Sequence, residues 1–127
     1  MKKTLWITLA VFVCSVAVCT LTHVNIGRVT QHARHLRTEA IEAMEEGHIQ
    51  QAEERMVELA GYISGHMGWL EMVCDHTDLH DIKADIIDAQ AAIEFGIEDD
   101  FYQAIYRFGE GLEHIAGIEE ISLQNLY

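Results

Sequence analysis

The feature that most constrains the fold is an uncharged apolar segment at the start of the chain. Residues 4–22 contain no charged residue, no Gly and no Pro, and two lysines precede them. As a helix rising about 1.5 Å per residue, this segment spans roughly 28 Å, close to the hydrocarbon thickness of a bilayer. All 21 acidic residues lie further along, from Glu39 onward. The pattern predicts an N-terminal membrane anchor, residues 1–23, followed by an acidic domain, residues 24–127.

The same segment also fits a secretory signal peptide. Two lysines, an apolar stretch and small residues near its end are the parts of such a peptide, and Ser15 and Ala17 would permit cleavage after Ala17. The apolar run continues through Leu21, however, where a cleavable peptide normally gives way to polar sequence. We therefore expect an uncleaved, single-pass anchor through residues 4–22.

Positive charges on both flanks compete to set the orientation of the anchor. Lys2 and Lys3 lie on one side, and Arg28, Arg34 and Arg37 lie on the other. Positive flanks tend to stay on the cytoplasmic side. Because a short N-terminal tail needs no translocation, we expect the tail to be cytoplasmic and the acidic domain to be extracytoplasmic, at the cell membrane.

Charge and cysteine content restrict what the acidic domain can do. Two of the eight basic residues precede the apolar segment, so six face 21 acidic residues in the rest of the chain, a formal charge of −15 with His neutral. Nucleic acid and anionic lipid headgroups are poor partners for such a surface. Cys14 and Cys19 lie in the apolar segment and Cys74 is alone beyond it, so no disulfide framework is expected.

The hydrophobic pattern predicts four amphipathic helices, because apolar residues recur at intervals of three and four. In chain order, the stripes are Val29, Ala33, Leu36, Ala40 and Met44; Ile49, Ala52, Met56, Leu59, Ile63, Met67, Leu70 and Cys74; Leu79, Ile82, Ile86, Ala89 and Ile93; and Phe101, Ile105, Phe108, Leu112 and Ile115. Gly47 and Gly96 are expected to end the first and third helices, and Thr77 or Asp78 to cap the third. Short links imply antiparallel neighbours. The sequence thus predicts an all-α fold, in which an N-terminal transmembrane helix is followed by a four-helix antiparallel bundle of two helical hairpins. The transmembrane helix can be continuous with the first helix of the bundle.

One histidine pair has the spacing of a metal chelate. If the third helix already included His76, then His76 and His80 would lie one turn apart on one face, with Asp81 or Cys74 as further ligands for zinc or copper. The expected cap, one or two residues later, would leave His76 outside the helix and spoil that geometry. We therefore predict no metal site, and His76 and His80 remain the alternative.

No catalytic or cofactor-binding residue is predicted. Ser64 and Ser122 have no His and acid arranged in a recognisable nucleophile motif, and no glycine-rich phosphate loop follows a strand. Carboxylate pairs arise by chance among 21 acidic residues. We expect a protein without enzymatic activity and without a cofactor.

Helical hairpins of this kind more often bind partners than catalyse. Apolar surface for a partner protein, or for self-association, is predicted around Tyr62, Trp69 and the C-terminal tail, residues 118–127, which includes Asn125. Burial between helices is the competing role for Trp69, since large aromatic side chains usually act by burial.

Two motifs in the second half of the chain resemble a known family. Trp69 is followed shortly by His76, and the chain closes on an ending that contains Ser122, Leu123 and Asn125. These features are similar to a family of small, N-terminally membrane-anchored helical proteins of spore-forming and related Gram-positive bacteria, catalogued as domain of unknown function 4363.

The resemblance covers roughly residues 39–127 and departs from the family in the glycine-rich segment 61–68, where such proteins tend to carry lysines. It implies an all-helical domain behind an N-terminal hydrophobic segment, and it brings no activity, substrate or cofactor. We therefore predict a membrane-anchored interaction or scaffold module of the bacterial envelope. The alternative is a metal-binding envelope protein that uses His76 and His80.

Overall fold

In the computed structural model, the chain folds into four helices. They are α1 (Lys2–Glu45), α2 (Ile49–Val73), α3 (His76–Phe95) and α4 (Glu98–Leu126). The structure describes the backbone of residues 1–126 and the side chains of residues 1–117, and no strand occurs within this part of the chain. The predicted all-α fold is confirmed.

Helix α1 joins the apolar segment and the first bundle helix without a break. Its 44 residues extend over about 66 Å. Residues 1–21 are exposed, and the hydroxyls of Thr8, Ser15 and Thr20 each donate to the carbonyl four residues earlier, over 2.8–2.9 Å. By length and composition, this helix is a candidate for a single membrane span.

The four predicted stripes meet in one hydrophobic core. Each helix packs against the next in the chain, and α4 closes the bundle against α1. Phe101 and Phe108 are fully buried at the centre. Every residue of the predicted stripes is buried except those at the two ends of α2, where Ile49 is exposed and Cys74 is half-buried. The predicted pair of hairpins is therefore one continuous bundle.

The first and third links are glycine turns, as predicted. Gly47 has φ 79° and Gly96 has φ 71°, a left-handed conformation that costs glycine least. In each turn the amide that follows the glycine donates to the carbonyl five residues earlier, over 2.8 and 2.9 Å. Both helices therefore stop sharply and the chain reverses within three residues.

Helix α3 begins earlier than the sequence pattern predicts. Asp75 is extended, and its Oδ1 accepts a hydrogen bond of 2.9 Å from the backbone N–H of Thr77. The expectation of a cap at Thr77 or Asp78 is therefore wrong, and His76 is the first helical residue. Three residues suited to capping follow one another closely, and the first of them, Asp75, satisfies one of the free amides at the start of the helix.

Contacts between helices give the direction of each one. Arg55 Nε of α2 lies 3.2 Å from Glu39 Oε2 of α1, and Arg34 Nε of α1 lies 2.8 Å from Glu113 Oε1 of α4. Helices α2 and α4 therefore run back toward the apolar segment. The turns at residues 45–49 and 95–98 together form the end farthest from that segment, the distal tip. The turn at residues 73–76 forms the proximal end.

Candidate functional site at the distal tip

Three large apolar side chains are exposed together at the distal tip. Ile49 is 55% exposed, Phe95 is 74% exposed and Ile97 is 46% exposed. The two isoleucines border a cavity of about 190 Å³ between the two turns, whose floor includes the core residues Met44 and Phe101. Single exposed apolar side chains are ordinary, but a group of them on two adjoining turns is the pattern of a contact surface.

The positions of these residues at the helix ends account for their exposure. Phe95 is the last residue of α3 and lies about 200° around the helix from the buried Ile93, and Ile97 directly follows the turn at Gly96. Ile49 is the first residue of α2, two residues after Gly47. All three apolar side chains thus lie outside the core.

A ring of carboxylates surrounds the apolar patch. All are exposed, and they are Glu45, Glu46, Glu94, Glu98, Asp99 and Asp100. Three of them lie in the first turn of α4, where the helix dipole favours negative charge. Their field reaches the neighbouring phenol: burial, and then the charges of Glu98 and Glu45, raise the pKa of Tyr102. The tip therefore combines an apolar centre with a strongly negative rim.

The aromatic residues predicted to bind a partner lie outside the distal tip. Tyr62 is half-buried between His32 and His66, with ring centroids 4.3 and 4.4 Å away, and burial raises its pKa. Trp69 is half-buried and packs against the core near the proximal end. Asn125 and the rest of the predicted tail surface lie outside the described side chains.

The histidine pair has the helical geometry that the predicted cap would have spoiled. Because α3 starts at His76, both His76 and His80 lie on it one turn apart, and they line an open groove with Glu71 and Lys83. Lys83 Nζ lies 3.9 Å from Glu71 Oε1, so the carboxylate that lines this groove is paired with the ammonium group of a lysine. Among the described residues, no three His, Cys, Asp or Glu side chains gather in a way that could hold a metal ion.

A second groove of about 920 Å³ opens between α1 and α2, toward the apolar segment. Its lining includes Arg28, His32, His35 and Tyr62, and none of the described side chains that line it is a carboxylate. This composition differs from the acidic rim of the distal tip. The lining of this groove and the rim of the distal tip therefore have opposite charge.

Sequence reasoning did not single out the distal tip. The signal was present, because Phe95 and Ile97 are large apolar residues on either side of a helix-ending glycine and outside the three-four stripe. The pattern of one turn could not show that the other turn, with Ile49, would stand beside it.

A protein-family model described as a domain of unknown function (DUF4363) matches residues 21–126. The match begins within α1, extends through α4, and leaves out most of the apolar segment. Comparisons with curated proteins and with solved structures found no match.

Proposed function

The chain belongs to the DUF4363 family, whose function is unknown, and from that premise we propose that it is a membrane-anchored interaction module without enzymatic activity. Residues 4–22 hold it in the cell membrane of a bacterium, and the acidic bundle stands on the extracytoplasmic side. Its distal tip docks a partner protein that presents an apolar anchor within a basic surface.

The exposure of Phe95, Ile49 and Ile97 on the two turns of the distal tip is the observation that carries this proposal. Fully burying one such side chain contributes about 1.5–3 kcal/mol, so covering the exposed parts of all three would contribute several kcal/mol. The partly open cavity between the two turns adds a concave place for an apolar side chain of the partner. The patch thus supplies the centre of a small interface.

The acidic rim supports a basic partner over a second copy of the chain. Two distal tips placed face to face would bring the six carboxylates of each copy together, and like charges at an interface oppose association. A surface rich in Arg and Lys gains from the same rim. Heterotypic docking is therefore favoured over self-association through this surface.

The length of α1 sets the height at which docking occurs. From Thr22 to Glu45 the helix rises about 35 Å, so the distal tip stands well clear of the lipid surface. Partners that project from the same membrane, or from the space above it, can reach this height.

The test places a photo-crosslinking phenylalanine analogue at position 95 of the full-length protein in cells. The matched control carries it at Ile87, which is also on α3, is 63% exposed, and lies outside the distal tip. We expect one adduct of constant mass from position 95 and none from position 87. Equal labelling at both positions, or an adduct with a second copy of the chain, would contradict the proposal.

A second measurement uses the partner identified in that adduct. Phe95→Ser should weaken its binding by about 10-fold to 100-fold, because each 1.4 kcal/mol lost is a factor of ten. Ile87→Ser removes a similarly exposed side chain and should leave binding unchanged. Circular dichroism of both variants checks that the helices are intact.

A further inference from the structure

The register between α1 and α2 fixes the height of the proximal end. The His32 ring packs against the Tyr62 ring and Glu39 pairs with Arg55, so each residue toward the N-terminus of α1 is matched by one residue toward the C-terminus of α2. Continued for about three turns at 3.6 residues per turn, this register places Val73 about level with Leu21. The turn between α2 and α3 therefore lies beside the end of the apolar segment.

The side chains at this level are of kinds that a lipid interface accommodates. Met72 is 83% exposed, and Trp69, one turn earlier on the same helix, is half-buried. Tryptophan is enriched at the boundary between headgroups and hydrocarbon. The nearby carboxylates are already engaged: Glu71 lies 3.9 Å from Lys83 Nζ, and Asp75 accepts the N–H of Thr77.

The part of α1 that directly follows the apolar segment is basic. Residues 23–38 contain three arginines, three histidines and no Asp or Glu. Arg34 pairs with Glu113, and Arg37 donates to the carbonyl of Ile105. Arg28 is exposed, has no partner among the described side chains, and lies about 9 Å beyond Thr22 along the helix. Its long side chain can reach back to lipid phosphates.

We propose that the proximal end is a second membrane contact, in which Met72 enters the headgroup layer of the bilayer that residues 4–22 cross and Arg28 binds lipid phosphate. This inference rests on the membrane anchoring in the proposed function and is independent of docking at the distal tip. The bilayer is the occupant of this surface because the register already brings Met72 to its level. The bundle then rests upon the membrane as well as being tethered to it.

The two tryptophans of the chain permit a test on full-length protein in phosphatidylcholine vesicles that carry brominated acyl chains as quenchers. Trp69→Phe leaves Trp6, on the apolar segment, as the reporter of anchoring. With both tryptophans changed to Phe, Met72→Trp reports on the proximal end. Val57→Trp in the same background is the matched control, since Val57 is also exposed on α2 and lies about four turns nearer the distal tip.

We expect the indole at position 72 to be quenched at least about twofold more than the indole at position 57, as an interfacial side chain would be. Quenching of Trp6 with equal, weak quenching at positions 72 and 57 would overturn the inference and leave the anchor intact. An unquenched Trp6 would overturn both. If the double Phe background does not fold, Trp6→Phe alone keeps Trp69 as the reporter of the same end.

The phosphate contact has its own arm of the experiment. Adding anionic phosphatidylglycerol to the vesicles should increase quenching at position 72, and Arg28→Gln should remove that increase. Equal quenching with and without anionic lipid would overturn the role of Arg28. Inorganic phosphate that abolished the lipid effect would show that Arg28 takes free phosphate in preference to the headgroup.

Discussion

Arg37 passes directly over Gly109, and replacing that glycine should reveal the contact. Arg37 Nε donates to the carbonyl of Ile105 over 2.9 Å, and its guanidinium carbon lies 5.6 Å from the centre of the Tyr106 ring. A Cβ added at Gly109 would stand 2.6 Å from Arg37 Nε and 2.7 Å from Arg37 Cζ, which is closer than packed atoms approach. Gly109→Ala must therefore shift the guanidinium, and we expect this shift to break both contacts.

The expected magnitude is the difference between two opposing effects. A hydrogen bond from a charged group contributes about 1.5–3 kcal/mol, and a cation–π contact at an exposed site adds about 0.5–1 kcal/mol. Ala stabilises a helix interior by about 0.8–1 kcal/mol relative to Gly. Gly109→Ala should thus lower the free energy of unfolding by about 1–3 kcal/mol, a fall in Tm of about 4–8 °C for each kcal/mol.

The assay is thermal unfolding of the full-length protein in mild detergent, followed by circular dichroism at 222 nm, the usual helix signal. Gly65→Ala on α2 is the matched control, because nothing lies within 4 Å of its added Cβ, and it should stabilise by about 1 kcal/mol. In an Arg37→Met background, Gly109→Ala should instead stabilise the protein by about 1 kcal/mol, as Gly65→Ala does. If Gly109→Ala stabilises equally with and without Arg37, the reasoning from close approach is refuted.

Two acidic residues give further predictions, both measured by unfolding of the same preparation. Asp75→Ala removes the acceptor for the Thr77 N–H and should cost about 1 kcal/mol, whereas Asp75→Asn keeps an acceptor and should retain most of the stability. Burial raises the pKa of Asp85, although Arg107 Nε lies 3.2 Å from its carboxylate. Folding therefore favours the protonated form of Asp85. The stability that this protonated form contributes is lost as pH rises through the raised pKa. Relative to the natural protein, Asp85→Asn should therefore gain stability as the pH rises from acid to neutral, and a difference that stays flat with pH would contradict this.

The helices could be predicted because their signals are local. The three-four stripes depend only on residues within one helix, and Gly47 and Gly96 supply the left-handed conformation that a sharp helix end requires. The start of α3 was less certain from sequence, because Asp75, Thr77 and Asp78 can each accept a hydrogen bond from a free amide. Only the backbone conformation of Asp75, with ψ 135°, decides among them.

The candidate site could not be predicted, because it depends on the register between helices. Ile49 and Ile97 are 48 residues apart in sequence, and they border the same cavity only because the two glycine turns end at the same height. The contact between Arg37 and the Ile105 carbonyl depends on that register as well. Trp69 packs against the core and Tyr62 lies against His32, so both contribute to the bundle, and their predicted role in binding a partner stays a prediction.

The continuity of α1 also links the bundle to the membrane in an angular sense. Each residue of an α-helix turns the chain by about 100°, so one residue inserted between Thr22 and Ile26 would rotate the entire bundle by that angle about the axis of α1 and raise it by about 1.5 Å. An insertion of seven residues, close to two whole turns, would nearly restore the original facing at a greater height. The side that the bundle presents to its neighbours in the membrane plane is therefore determined by the number of residues in this short stretch of helix.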